Sequence, residues 1–279
     1  RERMISRMVK KGITLEFSER IFKQIQGFGE YGFPESHAAS FALIAYATAW
    51  MKCHYPTEFT CALLNAQPMG FYSPATIIED AKRHGVKILG VDVQKSFWGC
   101  TLESEASLRD GFAVRLGFRY LRGMSAGEGE RIVVARGERS FSSILDFSDR
   151  SHVHRDTLQT LAQLGAFRHI GCADSSIQSA AAPHRKSALQ PGELLRREAL
   201  WQTLGLAEQK ISLPLETDEP MLFSPLSLSD AIGWDYQTQS LSAHGHPLLP
   251  LRPQLLQQNL PPAIQIQNSA DGSVAQYAG

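Results

Sequence analysis

Residues 31–59 read YGFPESHAASFALIAYATAWMKCHYPTEF, and no other stretch restricts the fold of this chain as strongly. After a Gly/Pro corner and a Ser-His pair comes an Ala-rich apolar run with aromatics on several faces. That composition predicts one long helix over 36–55, with Ser36 as N-cap. Pro56 stops it and opens the next helix, over 57–65. A helix apolar on all sides is normally buried in a large assembly, so deep burial is expected here. Its entrance, Gly32 to His37, is polar and fits a position facing a ligand. The apolar run 38–51 is shorter than the roughly 20 residues that span a bilayer, so no membrane association is expected.

The chain has 279 residues, 43% of them apolar, enough for about two domains. The formal net charge is zero, which gives no bulk pull toward nucleic acid or membrane. The charge is uneven, however. Basic residues outnumber acidic ones from Arg115 to Arg197, and from Gly205 onward only Lys210 and Arg252 stand against the acids. Separate modules follow from that asymmetry. Cys53, Cys61, Cys100 and Cys172 form no C-x-x-C pair and no zinc pattern, so a reduced, cytoplasmic chain is expected. The ends, RERMISRMVKKG and SVAQYAG, read as cut from something longer.

Along the chain, 1–30 predicts two basic amphipathic helices broken near Gly12 and at Gly27–Gly29. Ser73-Pro74 starts a helix that Gly85 ends. Residues 86–89, 91–93 and 112–116 read as short strands. Helices are expected at 126–136, 141–147 and 155–164, the last ended by Gly165. Residues 171–191 have linker composition. A helix over 193–204 stops at Gly205, and short helices follow near 227–232 and 252–258. The fold class is therefore mainly α with a small α+β patch.

Four groups of residues are candidates for chemistry. The turn Gly123-Met124-Ser125 between two helices places backbone N–H groups and a helix dipole where a phosphate can bind, with Arg122 and Arg131 beside it. Ser125 stands where glycine is usual; it keeps an N–H and a hydroxyl to donate, but its Cβ narrows the approach. A second turn, Gly165-Ala166-Phe167, is expected to bury Phe167 and to leave Arg168 and His169 near phosphates. Ser36-His37 has no third residue to orient a base, so no triad is assigned. His152/His154 and His244/His246 are read as loop histidines. Glu219, Leu222 and Phe223 form a short segment able to plug a partner's apolar pocket. No Asp-x-Asp and no phosphate-binding G-x-x-x-x-G-K occurs, so neither a catalytic residue nor a metal ligand is assigned. Asp146 and Asp149 are expected to be solvated.

Taken together, GFGEYGFPESHAASFALIAYATAWMKCHYPTEF, LLNAQPMGFYSPATIIEDAKRHGVKILGVDV, LGFRYLRGMSAGEGERIV and TLQTLAQLGAFRHIG resemble the bacterial DNA polymerase III alpha-subunit family, the C-family polymerases. Pro34-Glu35, where the replicative branch has Asn-Lys, is similar to the error-prone, damage-inducible branch. The resemblance implies fingers over 1–112 and a helix-hairpin-helix region over 113–205. A linker over 206–272 and the start of an OB-fold at 273–279 would follow. It implies nucleotide-side fingers residues Gly32, Ser36 and His37, and DNA-phosphate contacts at Arg122, Gly123, Met124, Ser125, Arg131 and Arg168. It implies primer-template DNA and an incoming deoxynucleotide as partners. It further implies a sliding clamp, reached through Glu219, Leu222 and Phe223, or a Y-family-like accessory protein. Palm carboxylates with Mg2+ would lie upstream, so this chain should be inactive alone. The other reading of the same residues is a non-catalytic DNA-binding scaffold.

Overall fold

The computed structural model describes residues 1–30, 35–108, 111–170, 195–208, 223–267, 269–270 and 272–278, with backbone only at 27–30, 35–37 and 207–208. Gly32, Glu219 and Leu222, and the side chains of Ser36 and His37, lie outside the described residues. The chain divides into two compact units, Arg1–His54 and Tyr55–Gly279.

The first unit holds α1 (Glu2–Lys10), α2 (Leu15–Glu30) and α3 (Glu35–His54). Gly12, at φ +84°, turns the chain between α1 and α2. The expected break at Gly27–Gly29 is absent, because α2 continues to Glu30. A helical glycine costs only about 1 kcal/mol relative to alanine, too little to end a helix by itself. α3 starts at Glu35, so Ser36 lies inside it rather than capping it. Within this chain α3 is largely exposed. Phe41, Ile44, Trp50 and Met51 are exposed, with Leu43 at 70% and Tyr46 at 71%. Among the described residues of this unit, Ile5 and Ser18 are buried.

The second unit opens with α4 (Pro56–Asn65) and α5 (Pro74–Arg83). Pro56 and Pro74 each occupy the first turn of their helix, and the Ser73 hydroxyl accepts the Thr76 N–H. Three strands follow: β1 (Ile88–Leu89), β2 (Thr101–Ser104) and β3 (Phe112–Arg115). β3 is central, parallel to β1 and antiparallel to β2. β2 is a strand where the sequence gives no clear alternation. The expected strand at 91–93 is instead a connecting segment, whose Val93 N–H donates to the Ala166 carbonyl of the second hairpin.

A 3-10 turn, Phe118–Tyr120, leads into α6 (Ala126–Glu138), α7 (Ile144–Ser151) and α8 (Arg155–Leu164). α7 begins three residues later than expected, because the Ser143 hydroxyl caps it. Phe141 stays outside the helix, and the Gln94 amide bonds both its N–H and its carbonyl. α9 (Arg196–Glu208) runs through Gly205 and packs along α8. α10 (Leu228–Gln239) also packs on α8, so the 206–272 span contributes to the core. α11 (Arg252–Gln257) and α12 (Ala263–Ile266) are short, and 273–278 carry no regular element.

One apolar cluster joins α4, α5, the sheet and α6 to α9. Phe147 is at its centre, edge-on to Phe141 at 4.9 Å and to Phe167 at 5.0 Å. Phe167 is fully buried, as its place after Gly165 predicts. No helix among the described residues is long and apolar enough to cross a membrane.

Candidate nucleic-acid interface

The first hairpin turns at Gly123, whose φ of +78° few residues with a Cβ adopt. Met124 packs inward and Ser125 caps α6. The capping box is complete. The Ser125 hydroxyl accepts the Glu128 N–H, and Glu128 Oε2 accepts the Ser125 N–H at 3.0 Å. The Ser125 hydroxyl also lies 3.0 Å from Glu128 Oε2. Both Ser125 donors are therefore turned inward, where the sequence reading places them on a phosphate.

Glu128 serves a second helix as well. Its Oε1 accepts the His154 N–H at 3.0 Å and the Thr157 hydroxyl at 2.9 Å. His154 is the N-cap of α8. Burial pushes the Glu128 carboxyl up, but these N–H and hydroxyl donors outweigh it and hold its pKa at about 2.

The donors left for an outside acceptor lie one residue further along. Ala126 and Gly127 are exposed first-turn residues of α6, whose N–H groups have no intrahelical partner and no other bond among the described residues. A Cβ on Gly127 would meet only Arg131 Nη1, at 3.8 Å. Arg131 is fixed by Nε and Nη2 on the carbonyls of Ser151 and His152, both at 3.2 Å. Its Nη1 is thus held beside the start of α6. The result is an exposed pair of backbone donors next to a guanidinium. The sequence reading included Arg131 but passed over Gly127. The Ser125-x-x-Glu128 spacing was the signal that shifts the donors past Ser125.

Arg122 lies apart from that position. Its Nη2 donates to Ser240 Oγ at 2.7 Å and its backbone N–H to the Thr238 carbonyl, so it joins the hairpin to the end of α10. In the second hairpin Gly165 adopts φ +80° and Arg168 is exposed. His169 Nδ1 lies 2.5 Å from Asp92 Oδ2. Asp146, expected to be solvated, instead bonds Arg139, Ser142 and Arg150. Burial pushes its carboxyl up, but the Ser142 N–H and the two guanidinium groups hold its pKa at about 2. Of the clamp-peptide candidates only Phe223 is described, with its ring 6.2 Å from that of Trp201. Among the described residues no three His, Cys, Asp or Glu side chains converge as metal ligands.

The family model described as a helix-hairpin-helix motif matches residues 85–176, from just before β1 to just past the second hairpin. The "Error-prone DNA polymerase" of Alkalilimnicola ehrlichii is 42% identical over all of this chain and 25% of its own length. "Error-prone DNA polymerase 2" of Agrobacterium fabrum is 42% identical, again over all of the chain and 25% of its own length. The Burkholderia pseudomallei "Error-prone DNA polymerase" is 40% identical over all of the chain and 24% of its own length. The chain thus spans about a quarter of the length of the curated relatives it matches. Over that quarter, the chain fits a fragment of the error-prone DNA polymerase family.

Proposed function

We propose that this chain is the part of an error-prone DNA polymerase that grips duplex DNA and helps position the incoming deoxynucleotide. The observation that carries the reading is the exposed Ala126–Gly127 donor pair beside Arg131, on a hairpin within a matched helix-hairpin-helix region. Backbone donors at a helix start hold phosphate without reading bases. That suits a polymerase, which must accept any sequence. Gly123 sets the turn that exposes them. Arg122 and Arg168 would add charge on the same duplex, and Ser125 and Met124 act through the shape of the turn. Gly32, Ser36 and His37 remain the proposed nucleotide-side residues of the fingers.

Nucleotidyl transfer, with its Mg2+, is assigned to the part of the relatives' length that this chain does not span. Among the described residues, Asp146 and Glu128 are engaged in caps and by arginines. A sliding-clamp contact through Glu219, Leu222 and Phe223, or one through a Y-family-like accessory protein, belongs to the same proposal. So does action on cytoplasmic DNA, in synthesis past damage.

The test has two arms. Duplex binding by this chain should be independent of sequence and fall steeply with salt. Fusing the chain to the corresponding remainder of an error-prone relative should give primer extension, which this chain alone should not give. Binding without extension in the fusion would favour a DNA-binding scaffold instead.

A further inference from the structure

Ser151 ends α7 and Arg155 opens α8, and α6 holds the junction between them with two side chains of opposite charge. A helix end leaves carbonyls unpaired, and a helix start leaves N–H groups unpaired. Arg131 answers the carbonyls. Its Nε reaches that of Ser151 and its Nη2 that of His152, each at 3.2 Å. Glu128 answers the other end, where its Oε1 accepts the His154 N–H at 3.0 Å. His154 has no side-chain cap of its own to offer α8. Each charge sits at the helix end whose dipole favours it. Glu128 and Arg131 are i and i+3 on α6, so both leave the same face of that helix. His152, left-handed at φ +49°, turns the chain between the two contacts.

Two nitrogens of a planar guanidinium, once anchored, fix the third. Arg131 Nη1 is that third nitrogen. It makes no bond with the described residues, and it lies 3.8 Å from where a Cβ on Gly127 would stand. A free surface arginine gives up rotamer freedom when it meets a phosphate. Arg131 has given it up already, and its orientation depends on where Ser151 and His152 are held. The bond from His154 to Glu128 ties their loop to the helix that carries Arg131. Glu128 itself is 2% exposed and offers no surface to DNA.

We propose that Glu128 is a positioning residue of the duplex grip. By fixing the junction of α7 and α8 against α6, it holds Arg131 Nη1 beside Gly127 for a phosphate. The start of α8, in the second hairpin, thereby becomes part of the grip of the first. The inference rests on the duplex-binding reading of the Ala126–Gly127 position and adds to it a buried residue that acts only through Arg131.

A double-mutant cycle in duplex binding by the full chain tests this, read by fluorescence anisotropy across a salt series. Each variant is assayed below its own thermal melt. Glu128→Gln keeps the shape of the side chain. It should weaken duplex binding at least about threefold and lower the salt slope by about one unit, as Arg131→Ala does. His154→Pro removes the same bond from the other side. His154 has φ −65°, which proline adopts, so this variant should fold and reproduce both changes even where Glu128→Gln does not fold. In an Arg131→Ala background, Glu128→Gln should change affinity by less than about 1.5-fold. Full additivity of the two changes overturns the inference and leaves the duplex-binding reading standing. So does unchanged affinity and salt slope in folded His154→Pro. Arg131→Ala without effect on duplex binding overturns the reading, and the inference with it.

Discussion

Glu128 and His154 are joined across the two hairpins, the carboxylate of the first accepting the backbone N–H of the second at 3.0 Å. One side chain therefore caps two helices that begin far apart in sequence. Glu128→Ala would leave the Ser125 and His154 N–H groups and the Thr157 hydroxyl without their acceptor. We expect a loss of about 2–4 kcal/mol in urea unfolding, combining a lost cap with unpaired buried donors.

The same site sets an acid limit. The folded pKa of Glu128 is depressed to about 2, while an unfolded Glu titrates near about 4.3. The stabilisation is fully present above the unfolded value and is lost as pH falls from there toward the folded value. Unfolding midpoints measured between about pH 5 and 2 should drop steeply, and Glu128→Gln should flatten that drop. An equally steep fall in the variant would assign the effect to other carboxylates, Asp146 first.

The two roles of Arg131 and Gly127 are separable. Gly127→Val should leave the thermal midpoint within a few degrees, since its Cβ meets nothing closer than 3.8 Å. It should weaken duplex binding roughly fivefold by obstructing the donors. Arg131→Ala should reduce both stability and the salt dependence of binding, the latter by about one unit of slope. Fluorescence anisotropy across a salt series distinguishes the two.

Gly117 admits no side chain. A Cβ there would lie 2.4 Å from the Trp98 carbonyl oxygen and 2.4 Å from the Gly99 carbonyl carbon, both backbone atoms. Gly117→Ala should cost about 3 kcal/mol or more, seen as a lower melting temperature and loss of soluble protein.

Arg115 and Glu103 form a diagonal pair on the sheet, bidentate at 2.6 and 2.8 Å, with Arg115 also donating to the Gly90 carbonyl. Hydrogen bonding to Arg115 holds the Glu103 carboxyl below its usual range. Arg115→Met, which strands Glu103, should destabilise by about 3 kcal/mol. The double change Arg115→Met with Glu103→Leu should recover most of that loss in chemical denaturation.

How much of this was legible depended on whether the deciding interaction was local. α8 and its Gly165 stop follow from apolar spacing and a left-handed glycine, and α5 from Ser73-Pro74. Phe167 was placed in the core for the same reason. Gly27 and Gly205 misled, because a weak local penalty yields to the rest of the helix. β2 could not be read, since its four residues are a strand only by pairing with β3. At the site, Ser125 and Glu128 stand at capping-box spacing and were readable. The tie from Glu128 to His154 and Thr157 was not, because it is made between separate helices. α3 is exposed within this chain, while its composition asks for a cover that these residues do not supply.

α3 gives a further prediction. Phe41, Leu43, Ile44 and Tyr46 are exposed apolar side chains that association would cover. Sedimentation of this chain should show concentration-dependent association, and Leu43→Lys with Tyr46→Lys should suppress it. The melting of Tyr55–Gly279 should not move.

The 3-10 turn holds a helix end from a distance. Arg119 donates to the carbonyls of Asn65 and Gln67, and the Tyr120 hydroxyl to that of Leu64. The last turn of α4 thus has its carbonyls satisfied by residues more than fifty positions later. In a growing or refolding chain that turn has only its local bonds, from the Ala66 N–H to the Ala62 carbonyl and from the Gln67 N–H to that of Leu64, until the sheet and the 3-10 turn arrive. α4 should therefore be native-like at its proline start early and at its Asn65 end late. Amide protons near Asn65 should gain protection together with those of β3, long after those near Thr60.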